Sequence, residues 1–160
     1  SAGSHDATTH ADNATVTIIF DASDTSINAT SWNEAASSSE TVLDSRYWVF
    51  ENFGESYFST IKPGKIKGWK KHREMTINLV VIVGEIKFVI YDDREKSNTK
   101  GKFMDFTLSR NNYERLTLRP GLWFAFQCMS KQEAILLNIA NIKHADNEID
   151  RKQINEIEYF

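Results

Sequence analysis

The stretch Gly64-Lys65-Ile66-Lys67-Gly68-Trp69-Lys70-Lys71-His72, followed by an apolar strand at residues 79–83 and closed by Gly84, carries the reading of this chain. On both sides of it, from Thr41 onward, short runs rich in Val, Ile, Phe, Tyr and Trp alternate with Gly, Pro, Asn and Asp. That alternation is the signature of a β-protein. Strands are predicted at 47–50, 55–60, 66–69, 75–83, 85–91, 103–108, 114–118, 123–128 and 134–139. Turn formers separate them: Pro63-Gly64, Gly84, residues 96–101, Asn111-Asn112 and Pro120-Gly121. Strands of this length and spacing predict an all-β sandwich or jelly roll. Residues 146–151 are read as a helical turn, and no internal repeat is evident.

Residues 1–14 hold small, polar and histidine side chains, too little apolar surface to offset the entropy of ordering. They are expected to be disordered. A short strand is predicted at 16–20, and 21–40 reads as irregular. The chain therefore divides into a polar segment, 1–40, and one β domain, 41–160, large enough to bury a core without disulfides.

The formal net charge is -3, from 19 basic and 22 acidic residues, which offers no electrostatic reason to expect a nucleic acid or an acidic membrane as partner. The single cysteine, Cys128, suits a reducing compartment and reads as a packing residue. No apolar run approaches the ~20 residues that cross a bilayer, and no signal peptide is recognised. The expected location is the cytoplasm.

Between Asp92 and Phe126 the chain carries an ordered series: Asp92, Arg94, Ser97, Thr99, Gly101, Leu108, Ser109, Asn112, Pro120, Gly121 and Phe126. Upstream stand Asp44-Ser45-Arg46 and Glu51. With the opening stretch, this series resembles the dTDP-4-dehydrorhamnose 3,5-epimerase family, nucleotide-sugar epimerases of the cupin superfamily. The family's Gly-x-x-Arg-Gly-Leu/Trp-His element aligns with residues 64–70. The resemblance implies a cupin-type double-stranded β-helix and a homodimer. It also implies an isomerase acting on a nucleotide-linked 4-keto-6-deoxy sugar in surface polysaccharide biosynthesis, with no cofactor. It assigns Arg46 and Glu51 to contact with the nucleotide sugar; Lys67 and Arg94 are read as further substrate-binding candidates, and Trp123, directly after the turn that lines the family's pocket, as the stacking candidate.

The family's reaction takes a proton from a carbon beside the C4 ketone and returns one to the other face. It needs a base, an acid across the ring and a stabiliser for the enolate oxygen. By the resemblance the usual histidine base is Lys70, the tyrosine acid falls at Ile142, and a further histidine is Phe124. Lys70 or His72 then serves as base, since alternate strand residues share a face, and Tyr57 is the substitute acid. A bulge at Gly68 changes which of them point inward. The alternative is that Lys67, Lys70, Lys71, His72 and Arg73 form only a solvated basic strand end, in a catalytically silent cupin that binds a nucleotide sugar or an enzyme partner. No metal site is expected, because only His72 of the metal-cupin ligand pattern is present, with Lys70, Ile77 and Phe124 in the other places.

Overall fold

The computed structural model describes residues 52–160 and the backbone of one strand at Thr15–Ile18. Residues 1–14 and 19–51, including the predicted strand at 47–50 and the binding candidates Arg46 and Glu51, lie outside the described residues.

Among the described residues ten strands follow in chain order: β1 (Thr15–Ile18), β2 (Glu55–Ile61), β3 (Ile66–His72), β4 (Ile77–Val83), β5 (Glu85–Tyr91), β6 (Phe103–Ser109), β7 (Arg115–Leu118), β8 (Trp123–Cys128), β9 (Ala134–Ala140) and β10 (Ile149–Arg151). They form two five-stranded sheets, ordered β1-β7-β4-β9-β2 and β10-β3-β8-β5-β6. All pairings are antiparallel except β1 with β7, which is parallel. This is the jelly-roll sandwich of the cupins. The helical turn predicted at 146–151 is not formed. Residues Ile149–Arg151 are instead a strand beside β3, and a single 3-10 turn lies further on, at Ile154–Glu156.

Alternation along the strands creates two cores. Between the sheets pack Ile77, Leu79 and Val81 of β4, Ile86, Phe88 and Ile90 of β5, Phe124, Phe126 and Cys128 of β8, and Leu136 of β9. On the far side of the second sheet, Trp69, Val89, Trp123 and Ala125 are covered by the carboxy-terminal segment through Ile154, Ile157 and Tyr159. That strap explains how β5 and β8 are buried on both faces while lying in a two-sheet molecule.

The anticipated irregularity in β3 is present and decides which way the basic side chains point. Lys67 lies opposite Phe126 and Lys70 opposite Phe124, so β3 spends three steps where β8 spends two. This is a one-residue β-bulge, and it restores Lys70 to the face that Lys67 and Phe126 occupy. Trp69 is thereby turned into the outer core and His72 follows Lys70 inward. In an unbroken strand Lys70 would have faced the strap.

Candidate active site

Where the inner faces of the sheets diverge they leave a hollow of about 460 Å³. One wall is β3, β8 and β10 of the second sheet, contributing Lys70, His72, Phe124, Phe126, Ile149 and Arg151; the other is β2 and β9 of the first, contributing Tyr57, Ser59 and Asn138. Met75 and Ile77 add apolar surface, and Glu55 and His144 also line it. Polar and charged side chains thus converge on an apolar floor, in a hollow of the size that small-molecule sites have.

His72 is its most constrained polar group. The residue is only 5 % exposed, and its Nδ1 lies 2.6 Å from Oε2 of Glu148. Oε1 of Glu148 accepts the backbone amides of Arg73, Glu74 and Met75, so one buried carboxylate ties the β3–β4 turn to the start of β10. Burial drives the Glu148 carboxyl upward, yet the bonds from His72 and from those amides hold it below its ordinary value. It is therefore ionised and accepts from Nδ1–H, which leaves the lone pair on Nε2. Nε2 is buried and has no partner among the described residues. Burial lowers the imidazole's pKa, an effect that Glu148 opposes only in part, so His72 is a neutral base. The ring of Phe124 stacks on it at 5.8 Å and limits its rotation.

Lys70 is half-buried, and across the β3–β10 pairing it faces Arg151. Burial, Arg151 and Lys67 all push its ammonium toward giving up its proton. Tyr57, on the opposite wall, is 42 % exposed; desolvation on its inner side and Glu55 keep it protonated to higher pH, against Arg151. The carbonyl of Tyr57 and Oγ of Ser59 both accept from Nδ2 of Asn138, which fixes this wall.

The structure thus brings the three predicted catalytic residues, Lys70, His72 and Tyr57, around one hollow. Three of the predicted binding residues do not line it. Lys67 shares the inner face but stands beside Phe126, 6.0 Å from its centroid. Arg94 is taken up by Asp92, whose fully buried carboxylate also accepts from Ser97 and Thr99. Trp123 is the clear correction. It is 3 % exposed on the outer face, its Nε1 donates to Asp93, and the ammonium groups of Lys71 and Lys152 lie 4.6 and 4.9 Å from its ring. It is not available for stacking, and Phe124, one residue on, faces the hollow instead. Ile142, where the resemblance puts the family's tyrosine, is also absent from the lining; its backbone fills the space a side chain at Gly54 would need.

Glu148, Arg151 and Asn138 are additions that the sequence does not single out. Asn138 stands inside a predicted strand with nothing to distinguish it, and the other two lie in the misread 146–151 segment. Among the described residues no three metal-ligating side chains converge, and no helix is long and apolar enough to cross a membrane.

A double sheet enclosing a histidine–carboxylate pair, with a phenol on the facing wall, defines a cupin of the kind equipped for acid–base chemistry. No protein-family model matches the chain. A solved structure, the dTDP sugar isomerase of Desulfovibrio desulfuricans G20, is 36 % identical, with a TM-score of 0.72 over 75 % of this chain and 78 % of that one. The dTDP-4-dehydrorhamnose 3,5-epimerase of Bacillus anthracis shares the fold at 21 % identity and a TM-score of 0.62, covering 68 % and 65 %. A probable low-salt glycan biosynthesis epimerase of Haloferax volcanii, Agl13, is 29 % identical over 100 residues, which span 62 % of this chain and 64 % of that protein. The chain belongs to the family of that dTDP sugar isomerase, and with the 3,5-epimerase it shares the fold.

Proposed function

We propose that the protein is an isomerase of a dTDP-linked 4-keto-6-deoxy sugar, of the 3,5-epimerase type, working in surface polysaccharide biosynthesis. The observation that carries this reading is the buried Nε2 of His72, unpartnered among the described residues while Glu148 holds Nδ1. Removing a proton beside a ketone requires a base whose pKa lies near the working pH and whose lone pair is aimed at the substrate. His72 is a neutral imidazole, its pKa lowered by burial, and among the described residues its Nε2 lone pair is free at the hollow. Tyr57 stands on the other sheet, so base and acid approach a bound ring from opposite faces, as inversion at carbon demands.

The relatives' names agree: one is a dTDP sugar isomerase and another a probable glycan biosynthesis epimerase. In this reading Arg46 and Glu51 contact the nucleotide sugar, and the enzyme acts as a cytoplasmic homodimer. The test is solvent exchange. In deuterated water, a dTDP-4-keto-6-deoxyhexose should gain deuterium at C3 or C5, and His72→Asn should slow this by roughly 10²–10⁴-fold. No exchange on any such sugar would refute the reading.

A further inference from the structure

His72 accounts for the carbon acid but leaves the ketone oxygen without a stated partner. Lys70 is placed to supply one. It precedes His72 by two residues on the same face of β3, so the two side chains leave the strand roughly 7 Å apart. That separation suits one group on a carbonyl oxygen and the other on the neighbouring carbon. Among the described residues neither Lys70 nor Arg151 forms an ion pair, although Lys71 and His72, the next two residues of β3, both do. Two adjacent cations at one hollow, with no carboxylate between them, fit a ligand that brings negative charge to that point.

We propose, building on the epimerase reading, that Lys70 serves as the ammonium donor to the sugar's ketone oxygen while His72 takes the proton from the adjacent carbon, and that Arg151 acts through Lys70. Nε2 of His72 accepts the proton, the C–H electron pair becomes a carbon–carbon double bond, and the carbonyl π pair moves to oxygen, which takes a proton from Lys70. Tyr57 then gives a proton to the carbon from the opposite face as the oxygen returns its own to Lys70; His72 passes its proton to solvent and Tyr57 regains one from it, so no co-reactant is consumed. Arg151 makes the ammonium a stronger acid by repulsion. The titratable and charged groups around Lys70 are Lys67 and His72 from β3, Arg151 from β10, Glu55 and Tyr57 from β2, and His144; β8 presents only Phe124 and Phe126.

The experiment follows deuterium exchange against pH in a Tyr57→Phe background, where the phenol adds no titration of its own. Lys70→Met should lower kcat at least 100-fold with little change in KM, and Lys70→Arg should recover all but about tenfold of it and lose the alkaline fall. Arg151→Met should move that alkaline fall to higher pH. Lys70→Arg as inactive as Lys70→Met, with a parent rate that climbs as pH rises, would make Lys70 the base and overturn the proposal. So would a Lys70→Met change confined to KM, or exchange unaffected by it. Melting temperatures of the variants establish that they fold. Absence of exchange in the unsubstituted protein would remove the epimerase reading itself, whereas exchange indifferent to Lys70 removes only this one.

Discussion

The carboxylate of Glu148 lies 2.6 Å from Nδ1 of His72, and both residues are more than nine-tenths buried. The pair joins residues 76 apart in sequence and sets which imidazole nitrogen carries the proton. Glu148→Gln tests this without changing volume. A glutamine amide donates to Nδ1, which forces the proton onto Nε2 and removes the lone pair from the hollow. Exchange activity should fall roughly 10²–10⁴-fold, with dTDP-sugar affinity, measured by calorimetry, close to that of the parent protein.

The same pair makes stability depend on pH. Glu148 has a folded pKa below its unfolded value, so its contribution is complete above about pH 4.5 and is lost as pH falls through the folded value. His72 is also depressed, and its neutral form is favoured on folding; the protein loses stability as pH drops below about 6.5, where the unfolded chain binds the extra proton. Melting temperature should therefore be flat from about pH 7 to 8 and decline steadily from about 6.5 to 4. His72→Gln should flatten the upper part of that decline.

Asp92 ties the series from Asp92 to Gly101 into one hydrogen-bonded network. Its buried carboxylate receives Nε and Nη2 of Arg94, the Arg94 amide, and the hydroxyls of Ser97 and Thr99, while its backbone carbonyl accepts from the Gly101 amide. These bonds outweigh burial and hold the carboxyl well below the usual carboxylate range. Asp92→Ala removes a fully buried carboxylate and strands several partly buried donors, and should cost about 3 kcal/mol, read by urea denaturation.

Trp123 and Phe124 should separate packing from binding. Trp123→Ala removes a side chain from the outer core and should destabilise by about 3–5 kcal/mol with ligand affinity preserved in the folded fraction. Phe124→Leu should leave stability within about 1.5 kcal/mol and slow exchange, because it frees the His72 ring that Phe124 stacks upon.

Much of the sandwich is legible in the sequence because the local signals are strong. Strands 85–91 and 123–128 emerge with the predicted bounds, since Gly84 and Pro120-Gly121 punctuate them and apolar residues dominate both. Gly121 adopts φ +88°, and its amide bonds the His72 carbonyl, so the Pro-Gly turn also braces the site. The strand predicted at 66–69 runs on to His72, because Lys70, Lys71 and His72 are held by pairing with β8 and β10 despite their polar composition. That β10 is a strand at all rests on its contacts with residues 70–72, which no local window contains. The inward orientation of Lys70 and His72 depends on a bulge that Gly68 signals, but whose effect on parity only the pairing with β8 reveals. Glu148 and Arg151 are hidden for the same reason as β10: their importance comes from a long-range partner.

The central claim is that the hollow receives the keto sugar with a reacting carbon against His72. A crystal structure of His72→Asn with a dTDP-4-keto-6-deoxyhexose bound measures this directly. The expected result places C3 or C5 roughly 3–3.5 Å from the substituted side chain, with the C4 oxygen toward Lys70. A sugar ring bound outside the hollow, or one whose C3 and C5 both lie beyond reach of that side chain, would contradict the account.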